Sequence, residues 1–150
     1  MQNQTRYLAI VNLAAVFALG LAALVGAEPE AAKSSHLGSW ELAKIKYGDA
    51  TDFSDFPKER RRLKLITETY WSWVEYDTAG KKEVKQGAGG PYTLKDGTYT
   101  ETMEFATGEY MLTLLDKKHS FKVRVEGDKF FVAGELANGL KIEEVWQRVK

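Results

Sequence analysis

Cysteine is missing from all 150 positions of the sequence. Its absence excludes a disulfide framework, thiol chemistry, thiolate metal sites and a lipid-modified cysteine behind a leader. Histidine is nearly as scarce, at His36 and His119 only. Metal ligation is therefore poorly supported, and haem binding equally so, since His119 is its only candidate axial ligand. Net charge is lacking too, because 21 basic and 21 acidic side chains cancel. Neither nucleic acid nor bulk anionic membrane is attracted by the field of such a chain. Helical periodicity of useful length is absent, which argues against crossover helices and the parallel sheet they serve. A nucleophilic triad lacks a credible serine beside a histidine on strand ends. Gly87 to Gly90 lack the strand–loop–helix setting and the lysine of a phosphate loop, so they read as turn punctuation.

One long hydrophobic run is present. Leu8 to Ala27 (LAIVNLAAVFALGLAALVGA) is apolar almost throughout and follows a polar start whose only charge is Arg6. It closes on Val25-Gly26-Ala27, and the first acidic residue follows at Glu28. This layout predicts a secretory signal peptide over 1–27, cut after Ala27. The rival reading is an uncleaved anchor, since about twenty apolar residues can span a bilayer; the Ala/Gly-rich end and weak basic flank favour cleavage. Residues 28–37 then form a polar tether in which His36 is solvated, and 38–150 form one domain, secreted or periplasmic, with no stable membrane insertion. A domain of about 120 residues can hold itself together by an apolar core alone.

From Gly38 onward strand patterns recur at short intervals. The expected strands are Gly38 to Tyr47, Arg62 to Ile66, Tyr70 to Asp77, Pro91 to Lys95, Thr98 to Phe105, His119 to Val125, Lys129 to Glu135 and Leu140 to Val149. Asp96-Gly97, Gly127-Asp128 and Asn138-Gly139 suit tight hairpins, because they supply positive φ at low cost. Eight antiparallel strands in meander order favour closure into an up-and-down barrel, which removes exposed edges and is just wide enough for one small ligand. Two connections are too apolar for plain solvent loops: Gly48 to Arg61, with Phe53 and Phe56, and Ala106 to Lys118, with Tyr110, Met111, Leu112, Leu114 and Leu115. They are expected to fold over the barrel ends as a plug and a lid.

Alternation sorts side chains into inner and outer sets. The expected inner set includes Tyr99, Glu101, Met103 and Phe105 on the fifth strand, His119 and Phe121 on the sixth, and Ile142, Glu144 and Trp146 on the last. On the third strand Trp71 and Trp73 are assigned inward. An inward carboxylate needs a partner or water. On a functional reading, Glu101, Glu144 and His119 orient a ligand's polar group while Trp71, Trp73, Tyr92, Tyr99, Met103 and Phe121 hold its body. On a structural reading the carboxylates pair with Tyr92, Tyr99, Lys44 or Lys46 and merely fill the barrel. The basic run Lys58-Glu59-Arg60-Arg61-Arg62, with Lys64, reads as a solvated loop entering a strand, or as a basic rim that attracts an anionic ligand.

Gly38-Ser39-Trp40 opens the first strand and Trp146-Gln147-Arg148 closes the last. This pairing resembles the calycin superfamily of lipocalins and fatty-acid-binding proteins. The resemblance implies that the Trp40 indole sits at the closed barrel end with Arg148 packed across it. The segments ITETYWSWVEYD (66–77), GGPYTLKDGTYTETMEF (89–105) and FFVAGELANGLKIEEVWQRV (130–149) are similar to a bacterial group of small secreted lipocalin-like proteins of unknown function. That resemblance implies the fold and no activity. The expected role is therefore binding of a small, largely apolar ligand, without cofactor or catalysis. The alternatives are an envelope interaction module with a side-chain-filled barrel and an enzyme built on Glu101 and Glu144.

Overall fold

The computed structural model describes residues 35–80 and 83–150. The expected leader at 1–27 and most of the expected tether at 28–37 lie outside the described residues. The described residues form ten strands and one short helix, in chain order β1 (Gly38–Tyr47), β2 (Ser54–Asp55), β3 (Arg60–Ile66), β4 (Tyr70–Asp77), β5 (Val84–Lys95), β6 (Thr98–Thr102), β7 (Phe105–Thr107), α1 (Glu109–Leu112), β8 (Lys118–Glu126), β9 (Lys129–Glu135) and β10 (Lys141–Arg148). All pairings are antiparallel, and the strands run β1-β3-β4-β5-β6-β8-β9-β10 around the molecule. Pairing of β10 with β1, from Trp40 opposite Arg148 to Tyr47 opposite Ile142, closes the sheet into an eight-stranded barrel. Short β2 continues the β3 side of β1, and β7 continues the β6 side of β5.

The hairpins fall where the turn residues direct them. Asp96 and Gly97 carry φ of 50° and 71° between β5 and β6, and Gly127 has φ 57° between β8 and β9. These left-handed conformations match the twist of the flanking strands. The β9–β10 connection is longer than two residues: it is closed by Leu136 N–H to the Leu140 carbonyl and Gly139 N–H to the Leu136 carbonyl, so β10 starts at Lys141.

Two strand boundaries differ from expectation for steric reasons. Gly87 to Gly90 are not a turn but the buried middle of β5, which begins at Val84. Glycine is needed there because neighbouring strands close in. A Cβ at Gly87 would lie 2.8 Å from the Trp73 carbonyl oxygen, and one at Gly89 would enter the Phe105 ring. The fifth expected strand breaks after Thr102. Residues Glu104 to Leu115 leave the barrel through a neck in which Met103 N–H bonds the Lys117 carbonyl and Asp116 N–H bonds the Met103 carbonyl. The break reverses the alternation, so Phe105 lies outside over Gly89 and is 51% exposed, not inward as expected. The second strand also starts two residues early, at Arg60.

The core has two parts. Trp40, Leu42, Ile66, Tyr99, Phe130 and Trp146 belong to a cluster that fills the end where β1 begins and β10 ends. Trp71, Ala88, Met103, Met111 and Leu114 form the other, which pins the 104–115 excursion to the barrel wall. The first end is the floor, and the ring of loops at the other end is the mouth.

Candidate functional site

The floor is built from the β1 and β10 termini. The Arg148 guanidinium stacks on the Trp40 indole, 4.0 Å from its ring centre. It also donates to the carbonyls of Leu37 (2.9 Å) and Ser35 (2.7 Å). Trp40 Nε1 donates to the His36 carbonyl at 2.8 Å. His36 is therefore not solvated as expected. Its ring contacts Tyr92 and Tyr99 edge-on, its Nε2 is 3.0 Å from the Tyr92 hydroxyl, and burial lowers its pKa. Residues 35–37 thus cap the closed end.

Above this floor lies a cavity of about 370 Å³. One wall is apolar, with Met103, Phe121, Val132 and Ile142 from β8, β9, β10 and the residue after β6. Trp71, Trp73 and Trp146 supply aromatic surface, and Phe56, Met111 and Leu140 lie toward the mouth. Phe56 alone plays the part expected of the 48–61 loop, since Phe53 is exposed. Within the excursion, Met111 and Leu114 are buried while Leu112 is exposed. Tyr110 borders the cavity, and its hydroxyl accepts a hydrogen bond from Asn138 Nδ2 at 2.9 Å, joining lid to β9–β10 loop.

The opposite wall carries charge. Arg60, Arg62 and Lys64 project into the barrel from β3, facing Glu75 on β4, Glu101 on β6 and Glu144 on β10. Arg62 is the centre of this network. It grips Glu75 through Nε (2.8 Å) and Nη2 (2.6 Å), reaches the Tyr47 hydroxyl (3.2 Å), and lies 4.6 Å from the Trp73 ring centre. Glu75 is 1% exposed and also accepts from Arg60 (2.9 Å) and Gln86 (3.3 Å). Glu144 accepts from the Tyr47 hydroxyl, from Trp146 Nε1 (3.0 Å) and from Arg62 (3.4 Å). Burial pushes the Tyr47 phenol far up, with the Glu144 charge adding to it. Burial would lower the Arg62 pKa, but Tyr47, Glu144 and Glu75 outweigh it and hold the guanidinium charged.

Deeper in, Lys64 pairs with Glu101 at 2.5 Å. Burial drives the Glu101 carboxyl upward, and Lys64 opposes that shift. Three rings surround the ammonium: Trp71 at 5.2 Å, Tyr99 at 5.6 Å and Trp146 at 5.6 Å from Nζ to ring centre. Trp71 Nε1 has no hydrogen-bond partner among the described residues. His119 accepts the Ala137 N–H on Nδ1 at 3.0 Å. Burial lowers its pKa, Lys117 lowers it further, and the Leu114 carbonyl works the other way. Its neutral form therefore carries the proton on Nε2.

Of the expected ligand-binding residues, Trp71, Trp73, Glu101, Met103, His119, Phe121 and Glu144 border the cavity. Tyr92 and Tyr99 do not: they belong to the floor, where their rings pack at a 38° tilt with centres 4.7 Å apart. The carboxylates do not use Lys44 or Lys46, which face outward and pair with Asp55 (2.7 Å) and Glu143 (2.5 Å). The basic run is not a solvated loop either, because alternate members of it enter the lumen. From the sequence, Arg60, Arg62 and Lys64 are placed in a loop or rim rather than inside the lumen, and Tyr47 and Glu75 are not singled out as site residues. Glu75 shares the phase of Trp71 and Trp73, and that alternation was the available signal. Among the described residues no group of three or more His, Asp or Glu is arranged to hold a metal ion.

No protein-family model matches the sequence, and no curated protein matches it. Among solved structures the chain is similar to a redesigned beta barrel, at 15% identity over 76% of this chain and 91% of the designed one, with a TM-score of 0.47.

Proposed function

We propose that the protein is an exported, lipocalin-like container for a small, largely apolar ligand that bears a polar group, and that it has no enzymatic activity. The observation carrying this reading is the cavity, whose volume of about 370 Å³ falls in the range of small-molecule sites, roughly 300–1,000 Å³. Its wall is apolar and aromatic on one side and carries paired charges on the other, the mixture that orients an amphipathic molecule. The Trp40–Arg148 stack supports the lipocalin-like comparison. The non-catalytic reading rests on Glu101 and Glu144, both engaged by internal partners. Export rests on the apolar run before Glu28.

Protein purified from its own source, analysed by native mass spectrometry and solvent extraction, is expected to carry a bound organic compound. Titration with decanol is expected to change the emission of the cavity tryptophans, and Leu140→Trp at the mouth to weaken that response. A protein that never carries a compound and never responds to an apolar alcohol would overturn the proposal.

A second reading, docking to another envelope protein, is favoured by the outer face of β3, β4 and β7, where Leu65, Val74, Tyr70 and Phe105 are exposed. The cavity argues against the solid barrel that this alternative assumed. A pull-down with substitutions on that face tests it.

A further inference from the structure

Lys64 ends at the inner part of the cavity as an ammonium among rings. Its Nζ has one hydrogen-bond partner among the described residues, the Glu101 carboxylate at 2.5 Å. The residue is 3% exposed, yet it borders the cavity. Trp71, Tyr99 and Trp146 enclose it at 5.2 to 5.6 Å. A lysine that borders an apolar cavity with a carboxylate hydrogen-bonded to its nitrogen has the arrangement that Schiff-base lysines use, a nucleophile with its acid–base partner in reach. We propose that Lys64 forms a reversible imine, and that the ligands of the barrel include apolar aldehydes or ketones captured at their carbonyl carbon. This rests on the reading of the barrel as a container.

The step balances with the groups present. Glu101 takes one proton from Lys64 along their 2.5 Å hydrogen bond, and burial of the carboxyl favours its protonated form. The free amine adds to the carbonyl carbon, the C=O π bond opens, and one proton moves from nitrogen to oxygen to give a neutral carbinolamine. Glu101 then returns the proton to the carbinolamine hydroxyl, the C–O bond breaks, water departs and the C=N bond forms. Carbonyl compound and ammonium become iminium and one water, with total charge unchanged and no electrons exchanged. The three rings stabilise the iminium cation as they do the ammonium, and Glu101 is its counter-ion.

The test uses decanal with sodium cyanoborohydride on the purified protein, followed by intact mass measurement and peptide mapping. Equimolar decanal is expected to place one decyl group per chain, on Lys64, ahead of the exposed Lys44 and Lys150. Excess decanol should block it by competition. In Lys64→Arg, labelling should fall to the background of exposed lysines. In Glu101→Gln, the adduct should form on the order of a hundredfold more slowly, as loss of a positioned acid–base group predicts. Mapping on the unsubstituted protein decides the matter if either variant fails to fold. Decyl groups spread over exposed lysines with Lys64 unmodified would overturn the imine. If decanol still changes tryptophan emission in that case, the container reading stands without it; if decanol has no effect, both fall.

Discussion

Gly90→Ala should destabilise the barrel far more than its size suggests. Gly90 lies where β5 is crossed by the chain leaving β6. A Cβ built there would sit 2.8 Å from the Glu104 amide nitrogen and closer still to the Thr102 carbonyl oxygen, whereas real Cβ contacts stay above 3.0 Å. Both obstructing atoms are backbone, so no rotamer change relieves the clash. Moving the strand also strains the Glu104 N–H to Gly89 carbonyl bond, now 2.9 Å long. Overpacking of this kind costs about 1–3 kcal/mol, and a weakened hydrogen bond adds about 1 kcal/mol. A loss of about 3 kcal/mol is expected, a large share of the roughly 5–15 kcal/mol that holds a domain together. Gly97→Ala is the control. Nothing lies within 4 Å of its Cβ and its φ is 71°, so only the left-handed backbone is penalised, at about 1 kcal/mol. Urea unfolding followed by tryptophan emission reads both as shifts in midpoint at constant slope. If Gly90→Ala costs no more than Gly97→Ala, the close approach of β5 to Thr102 and Glu104 is wrong, and residues 87–90 would be an open turn after all.

The remaining predictions use the same assay unless stated. Lys64→Met alone leaves Glu101 buried without its cation and should cost about 3–5 kcal/mol, while Lys64→Met with Glu101→Leu should recover most of it; additive losses would show that the pair is not coupled. Arg148→Lys removes the planar fork that stacks on Trp40 and holds the Ser35 and Leu37 carbonyls, and should cost about 2 kcal/mol. Leu65→Lys, on the exposed outer phase of β3, should change stability by less than about 0.5 kcal/mol. For pH, the fold depresses His119 below 6.5, so the unfolded chain binds the proton first. Its contribution is full above pH 6.5 and drains as pH falls below that value toward the folded pKa. His36 is depressed in the same sense. His119→Gln should flatten part of the loss between pH 7 and pH 5, and an unchanged slope would remove His119 as its source.

The barrel itself was legible because its determinants are local. Asp96-Gly97 and Gly127-Asp128 specify tight turns whatever surrounds them, and the intact β4 and β9 followed from aromatic or apolar runs bounded by turn residues. The errors arose where a second strand decides the matter. Glycine at 87–90 is compatible with a turn or with a crowded strand, and only the approach of Trp73, Phe105 and Thr102 selects the strand. The same crowding makes β6 leave the wall after Thr102, which turned Phe105 outward. His36 is polar and precedes the first strand, so its ring gained a place only when β10 returned to set Arg148 against residues 35 and 37.

The site was harder to read because β3 inverts the usual rule. In Arg60-Arg61-Arg62-Leu63-Lys64-Leu65-Ile66 the phase containing Leu63 and Leu65 points out, and the phase containing Arg60, Arg62 and Lys64 points in. Transfer free energies alone favour the reverse arrangement. What selects the observed one is charge compensation across strands distant in sequence. Glu75, Glu101 and Glu144 enter the lumen from β4, β6 and β10, and each would be costly alone. Cations on the inner phase of β3 reach all three. Two of the carboxylates were visible from alternation, and the third follows once Trp71 and Trp73 fix the phase of β4. An inner surface holding three carboxylates requires cations from somewhere, and the basic run at 58–64 is the densest source in the chain. Taking the carboxylates first and the basic run second would have placed Arg62 and Lys64 inside. Alternation still would not have given depth. Tyr99, Glu101 and Met103 share one phase of the chain, yet Tyr99 falls in the floor while the other two border the cavity. That division is set by where the Trp40, Phe130 and Tyr92 rings pack, not by the period of the strand.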